Sequence, residues 1–233
     1  MKTSRIIRAF GAALLCSTGL LALAPSAQAV EPAFPNLLYN VTLNLSSLVG
    51  NTDGPYSLDF QLATGSGNVI NSVSLSQFVF TGGSSTGTDF STGGVTGSAP
   101  GGITLTNSSL VDNETAFALS PGVTQVSFLV SETPNSEVVS NGTPIPDQFN
   151  IALLNNASLG ENNILTTDPS GNNELVSSTI SSNETVASVK TFTSLSPDAG
   201  VSVVVTAPEP STYAMLLSGL VALGMVALRR RQA

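Results

Sequence analysis

The chain has 233 residues, with 15 acidic and seven basic side chains, a formal net charge of −8, one cysteine, no histidine and no tryptophan. Without histidine there is no Ser-His-Asp triad and no usual general base, and most zinc sites are ruled out with it. A single cysteine allows neither an internal disulfide nor an iron–sulfur ligand set.

The first 29 residues read as a secretory signal peptide. Lys2, Arg5 and Arg8 form a basic start, residues 9–24 an apolar middle, and Ala27-Gln28-Ala29 a small-x-small cleavage site. Ala27 and Ala29 are the residues a signal peptidase would read, the Sec translocon is the expected export route, and the mature chain would begin at Val30. Cys16 falls inside the apolar middle and is preceded by Leu15, where a lipoprotein signal needs a small residue just before it. The mature chain is then free of thiols, and its stability must come from burial.

Residues 30–206 are long enough for one domain with a sizeable core. They hold Lys190 as their one basic residue against 14 carboxylates, a net charge of about −13. No basic face exists here to neutralise phosphate, so a nucleic-acid partner is not expected. The segment is rich in Ser, Thr, Asn, Gly and Val, a composition that favours strands over helices. Apolar residues alternate at Val41, Leu43 and Leu45, at Tyr56, Leu58, Phe60 and Leu62, at Val126, Phe128 and Val130, and at Phe149, Ile151 and Leu153. Residues 69–80 suit a long or bent strand, and residues 103–105, 175–180, 186–192 and 201–205 supply shorter candidates. Turn signals separate these runs, among them Asp53-Gly54-Pro55, Asp168-Pro169-Ser170-Gly171 and Ser196-Pro197-Asp198. Residues 81–102, mostly Gly, Ser and Thr, read as a long exposed loop or a weak edge hairpin. Roughly ten short strands without an internal repeat give an all-β fold, a single β-sandwich of jelly-roll type.

Few side chains in this domain suggest chemistry. Asp59, Asp147 and Asp168 are the carboxylates that could serve glycoside hydrolysis. Asp59, however, alternates with Leu58 and Phe60 and reads as the polar face of a strand, while Asp147 reads as a strand start after Pro144 and Pro146. Asp168, Ser170, Asn172 and Glu174 imitate the first half of an EF-hand loop. Asn173 stands where that loop needs glycine, and Thr179 where it needs its bidentate Glu, so a looser calcium site through Asp168 is all that remains of the pattern. Lys190 lies in an alternating run and reads as a solvated strand position. A flat sugar platform would need exposed aromatic rings, and the only candidates, Tyr39 and Tyr56, fit buried or half-buried strand faces.

The final stretch is the most specific. Pro208 and Pro210 hold Pro208-Glu209-Pro210 extended, and Ser211 or Thr212 can then cap a helix. Tyr213 to Leu228 follow without a charge, and Arg229, Arg230 and Arg231 close the segment. A helix over 213–228 would span roughly 24 Å, short of the ~30 Å bilayer core, with the arginines on the cytoplasmic side. Tripeptide, apolar helix and arginine cluster, taken over residues 207–233, resemble the PEP-CTERM sorting signal. That resemblance implies processing near the motif by exosortase, a membrane cysteine transpeptidase. It also implies transient inner-membrane anchoring, then delivery to the cell surface or extracellular matrix of a Gram-negative bacterium that makes exopolysaccharide. Gly54 to Leu62, Pro146-Asp147-Gln148-Phe149 and Thr167 to Gly171 together resemble a family of PEP-CTERM ectodomains of unassigned activity. The expectation is a non-enzymatic surface or matrix protein associated with exopolysaccharide. Alternatives are a calcium-assisted carbohydrate-binding module and a secreted hydrolase working through carboxylates alone.

Overall fold

The computed structural model describes residues 36–66, 69–108, 111–133, 145–155, 162–181 and 188–207. The signal peptide with Ala27 and Ala29, the tripeptide Pro208-Glu209-Pro210, the helix expected over 213–228 and Arg229 to Arg231 lie outside these residues. Among the described residues no helix is long and apolar enough to cross a membrane.

Two antiparallel sheets carry the fold. The first runs β13 (Ser202–Thr206), β1 (Leu37–Asn44), β8 (Gln125–Glu132), β3 (Ser72–Thr81), β6 (Gly102–Thr106) and β5 (Gly94–Ser98). The second runs β12 (Lys190–Thr191), β11 (Val176–Ile180), β9 (Asp147–Asn155), β2 (Tyr56–Ala63), β7 (Asp112–Leu119) and β4 (Ser85–Thr92), with β10 (Asn162–Asn163) pairing beside β9. The expected β-sandwich is present, and the alternating runs form its centre. Tyr39, Val41 and Leu43 of β1 and Val126, Phe128 and Val130 of β8 face Leu58, Phe60 and Leu62 of β2 and Phe149, Ile151 and Leu153 of β9. Phe60 lies at the middle, its ring centroid 5.4 Å from Phe128, 5.7 Å from Phe117 and 6.4 Å from Phe149. Each of these side chains removes most of its apolar surface from water, the main stabilising term for a body without disulfides. Tyr39 and Tyr56 are buried, as their alternation implied.

The long strand expected over 69–80 is β3, bent by a bulge between Ser76 and Val79 where Gln77 takes φ 56°. Three departures from the sequence reading stand out. Residues 81–102 are not a loop. They form β4 and β5, which sit at the edges of different sheets and pair with β7 and β6 rather than with each other. The chain changes sheet at Gly93, whose φ of +75° only glycine adopts freely. There Gly94 N donates to Asn113 Oδ1 at 2.7 Å. A second departure is β7 itself, which the apolar pattern does not announce. The third is the strand expected over 186–192, of which Lys190 and Thr191 form β12, residues 182–187 lying outside the described set.

A polar bridge crosses the core. The Tyr39 hydroxyl donates to Glu132, and Ser178 Oγ donates to the other Glu132 oxygen at 3.0 Å, tying β1 and β8 to β11 of the opposite sheet. A buried carboxylate is tolerated only with such donors.

A polar trough on the second sheet as candidate functional site

Alternation sends Asp59 and Gln61 of β2, Glu114 and Ala116 of β7, and Asn150 and Ala152 of β9 to the face opposite the core. Register decides what they build. Asp59 stands directly between Ala116 and Ala152 on its two neighbouring strands. Of the two, Ala152 lines the trough beside Asp59, while Ala116 is fully buried. Asp59 is 5% exposed although it belongs to the outward face. One row further on, Glu114, Gln61 and Asn150 lie side by side, and Ser177 of β11 continues the row by donating to Asn150 Oδ1 at 2.9 Å.

Loops raise the walls. On one side, Ile164 N reaches the Leu153 carbonyl at 2.8 Å, and Leu195 N reaches the Leu165 carbonyl at 2.7 Å, pinning the segment that follows β10. The segment then turns at Asp168. That carboxylate accepts from Ser170 N at 2.9 Å, Ser170 Oγ at 2.5 Å and Glu174 N at 3.4 Å. Burial pushes its pKa up, but these donors outweigh burial and hold it below the usual carboxylate value. The turn carries Asn172, Asn173 and Glu174 into the trough. Glu174 is 6% exposed, and burial first, then the charge of Asp168, raise its pKa against the hydrogen bonds of Ser177 and Asn172 and the charge of Lys190.

Pro197 and Asp198, just after Leu195, also line the trough. The Asp198 carboxylate is buried and accepts from Tyr56 Oη at 2.6 Å, Asn51 Nδ2 at 3.2 Å and Asn155 Nδ2 at 3.4 Å. Burial, then this hydrogen bond and the charge behind it, push the Tyr56 hydroxyl pKa well upward, so Tyr56 stays protonated and donates to Asp198. The volume of this open trough is about 770 Å³, within the ~300–1,000 Å³ of small-molecule sites. A smaller depression of about 320 Å³ beside Leu48, Pro55 and Pro121 is largely apolar.

Of the three carboxylates singled out from the sequence, Asp59 alone lines the trough. Asp168 shapes a wall with its side chain turned into its own loop. Asp147 does start a strand, but its oxygens face the other end of the sandwich, taking Gly65 N, Asn71 Nδ2 and Asn107 Nδ2. Lys190 is exposed on β12. Among the described residues no three acidic groups come together in a way that would hold a metal ion. The sequence reading did not single out Gln61, Glu114, Asn150 or Asp198. Only Gln61 carries a sequence signal, as the outward neighbour of Asp59 in an alternating run.

Residues 206–231 match the family model of the PEP-CTERM protein-sorting motif. Curated proteins and solved structures give no significant match to the chain. The match begins at Thr206, the last residue of β13 and the strand partner of Asn40, so the sorting motif starts where the sandwich ends. A protein with this motif is exported, anchored transiently in the membrane and sorted by exosortase to the surface.

Proposed function

Starting from a PEP-CTERM protein sorted by exosortase, we propose that the sandwich is a non-enzymatic interaction module of the exopolysaccharide matrix of a Gram-negative cell. On this reading the chain crosses the inner membrane through the Sec translocon, is released from its apolar tail near Pro208-Glu209-Pro210, and meets polysaccharide at the trough on the second sheet. The observation that carries the reading is the trough's lining, in which Gln61, Asn150, Asn155, Asn162, Asn163, Asn172 and Asn173 present side-chain amides. A carboxamide both donates and accepts, and so does every sugar hydroxyl, so such a surface suits a polyhydroxylated chain without an aromatic platform. The absence of histidine from the whole chain, and of cysteine after residue 16, supports a binding role over a catalytic one.

Two measurements test this. The intact mass of the exported protein is expected to fit a chain that begins at Val30 and lacks residues 213–233. A product that keeps them, from cells known to contain exosortase, refutes the processing step. Co-sedimentation with the cell's own matrix polysaccharide, with calcium and with chelator, is expected to fall at least fivefold in a Gln61→Ala/Asn150→Ala double variant. Unchanged sedimentation would remove the trough as the contact surface.

A further inference from the structure

We infer that the end of the sandwich from which the sorting motif departs is a membrane-contacting surface. Ile70, Val111 and Ile145 on its loops enter the headgroup layer of a zwitterionic bilayer while the chain is still anchored. These are the three most exposed large apolar side chains among the described residues, at 61%, 70% and 65%. They gather on loops at one end of the fold. Thr64 N donates to the Val111 carbonyl at 2.6 Å and Ser66 N to the Ile145 carbonyl at 2.7 Å, so the segment after β2 holds both in place. Ile70 follows Val69, whose carbonyl takes Asn107 Nδ2 at 3.1 Å. The Asp147 carboxylate then ties Gly65, Asn71 and Asn107 into the same cluster. Exposed aliphatic side chains collected in this way mark a protein or membrane contact.

The exit of the chain selects the membrane. Strand β13 runs towards this same end and stops at Thr206 opposite Asn40, three residues short of the row formed by Leu37, Glu132 and Val73. The loop before β3 therefore stands roughly 10 Å further out than Thr206 and three strands across, roughly 14 Å. Residues 207–212 separate Thr206 from the apolar stretch 213–228, and fully extended they reach about 25 Å at most. An anchored chain is thus tethered with this end next to the bilayer, and the tether raises the local lipid concentration enough for three aliphatic side chains to act together. Charge decides the kind of lipid. Asp112 is exposed beside Val111, while Lys190, the one basic residue of residues 30–206, lies on β12 and not on these loops. Anionic headgroups are therefore repelled, and burial of apolar surface supplies the attraction.

Fluorescence quenching tests the assignment on the exported chain with residues 207–233 retained, purified from cells without exosortase and reconstituted in phosphatidylcholine vesicles. No cysteine follows residue 16, so Val111→Cys, Ile145→Cys and Asn172→Cys each accept one environment-sensitive dye. The dye at position 111 or 145 is expected to shift to the blue. Nitroxide lipids labelled near the headgroup are expected to quench it at least fivefold more than the dye at position 172, exposed on the trough turn. Ile70→Ser with Val111→Ser, two exposed positions outside the core, is expected to lower quenching at position 145 at least threefold. Replacing part of the phosphatidylcholine by phosphatidylglycerol is expected to lower it about twofold. Equal quenching at all three dye positions overturns the inference. A blue shift without lipid quenching overturns it in favour of contact between copies of the chain. Stronger quenching with phosphatidylglycerol overturns the assignment of a zwitterionic surface.

Discussion

Asp147 offers the sharpest test of how this sandwich is held together. Its side chain is fully buried at the start of β9, in the second sheet. It accepts from Gly65 N at 2.6 Å, Asn71 Nδ2 at 2.8 Å and Asn107 Nδ2 at 2.6 Å. Gly65 and Asn71 lie in the connection from β2 to β3 and Asn107 in that from β6 to β7, so one carboxylate ties both of these crossings between the sheets to the start of β9. Replacing Asp147 by Ala leaves three donors facing a void. A stranded buried donor costs about 1–3 kcal/mol. The Asn107 amide keeps a bond to the Val69 carbonyl at 3.1 Å, and water can enter beside half-buried Gly65, so the sum falls to about 3–5 kcal/mol. That is a large part of the ~5–15 kcal/mol available to a domain. Asp147→Asn keeps the shape but turns one acceptor into a donor aimed at other donors, for a loss of about 1–3 kcal/mol. Guanidinium denaturation of both variants, read as a shift in midpoint at constant slope, measures the effect. An Ala variant within 1 kcal/mol of the parent would show that Asp147 does not staple the sheets.

Two further predictions follow from backbone and charge. Gly93→Ala places a Cβ 2.5 Å from Asn113 Oδ1 at φ +75°, where the chain changes sheet; the expected loss is about 2–3 kcal/mol, with Gly171→Ala, at φ +84° in open space, losing only about 1 kcal/mol. Equal losses by denaturation at the two positions would remove the crowding argument. Asp168 and Glu174 should respond oppositely to pH. The lowered Asp168 pKa means a contribution present above the ordinary carboxyl value of about 3.9 and lost as pH falls through the lower folded value. The raised Glu174 pKa means a contribution present below about 4.3 and lost as pH rises through the higher folded value. At pH 7, therefore, Asp168→Asn should destabilise and Glu174→Gln should stabilise, both differences shrinking in acid. Denaturation midpoints moving the same way at pH 7 would refute the assignment.

How much of this could be read from the sequence depends on where the information is held. Strands β1, β2, β8 and β9 are legible because their inward residues are apolar at every second position, and alternation is a property of one segment alone. Strand β7 fails that test for a physical reason. Two of its core-side residues, Asn113 and Thr115, are polar because they complete the backbone bonding of neighbours. Asn113 takes Gly94 N and gives to the Leu62 carbonyl at 3.3 Å, while Thr115 Oγ1 gives to the Phe90 carbonyl at 3.1 Å. Strands β4 and β5 are hidden differently. They are mostly exposed on both faces, so burial imposes no period, and only their partners make them strands.

The same distinction separates the two functional features. A sorting motif is recognised as a linear stretch, so Pro208, Glu209, Pro210 and the arginines are visible without any fold, and the family match covers residues 206–231 and nothing of the sandwich before them. The trough is a product of pairing. Asp59 looks like any outward strand residue until the register sets Ala116 on one side of it and Ala152 on the other. Those three residues come from strands far apart in the chain, and no spacing rule links them. Enlarging Ala152, which lines the trough, would therefore fill part of the floor while leaving every local pattern in the sequence intact. A trough of this kind is legible only after strand pairing is known, which is why the sorting of this protein is readable from its sequence and the proposed contact surface is not.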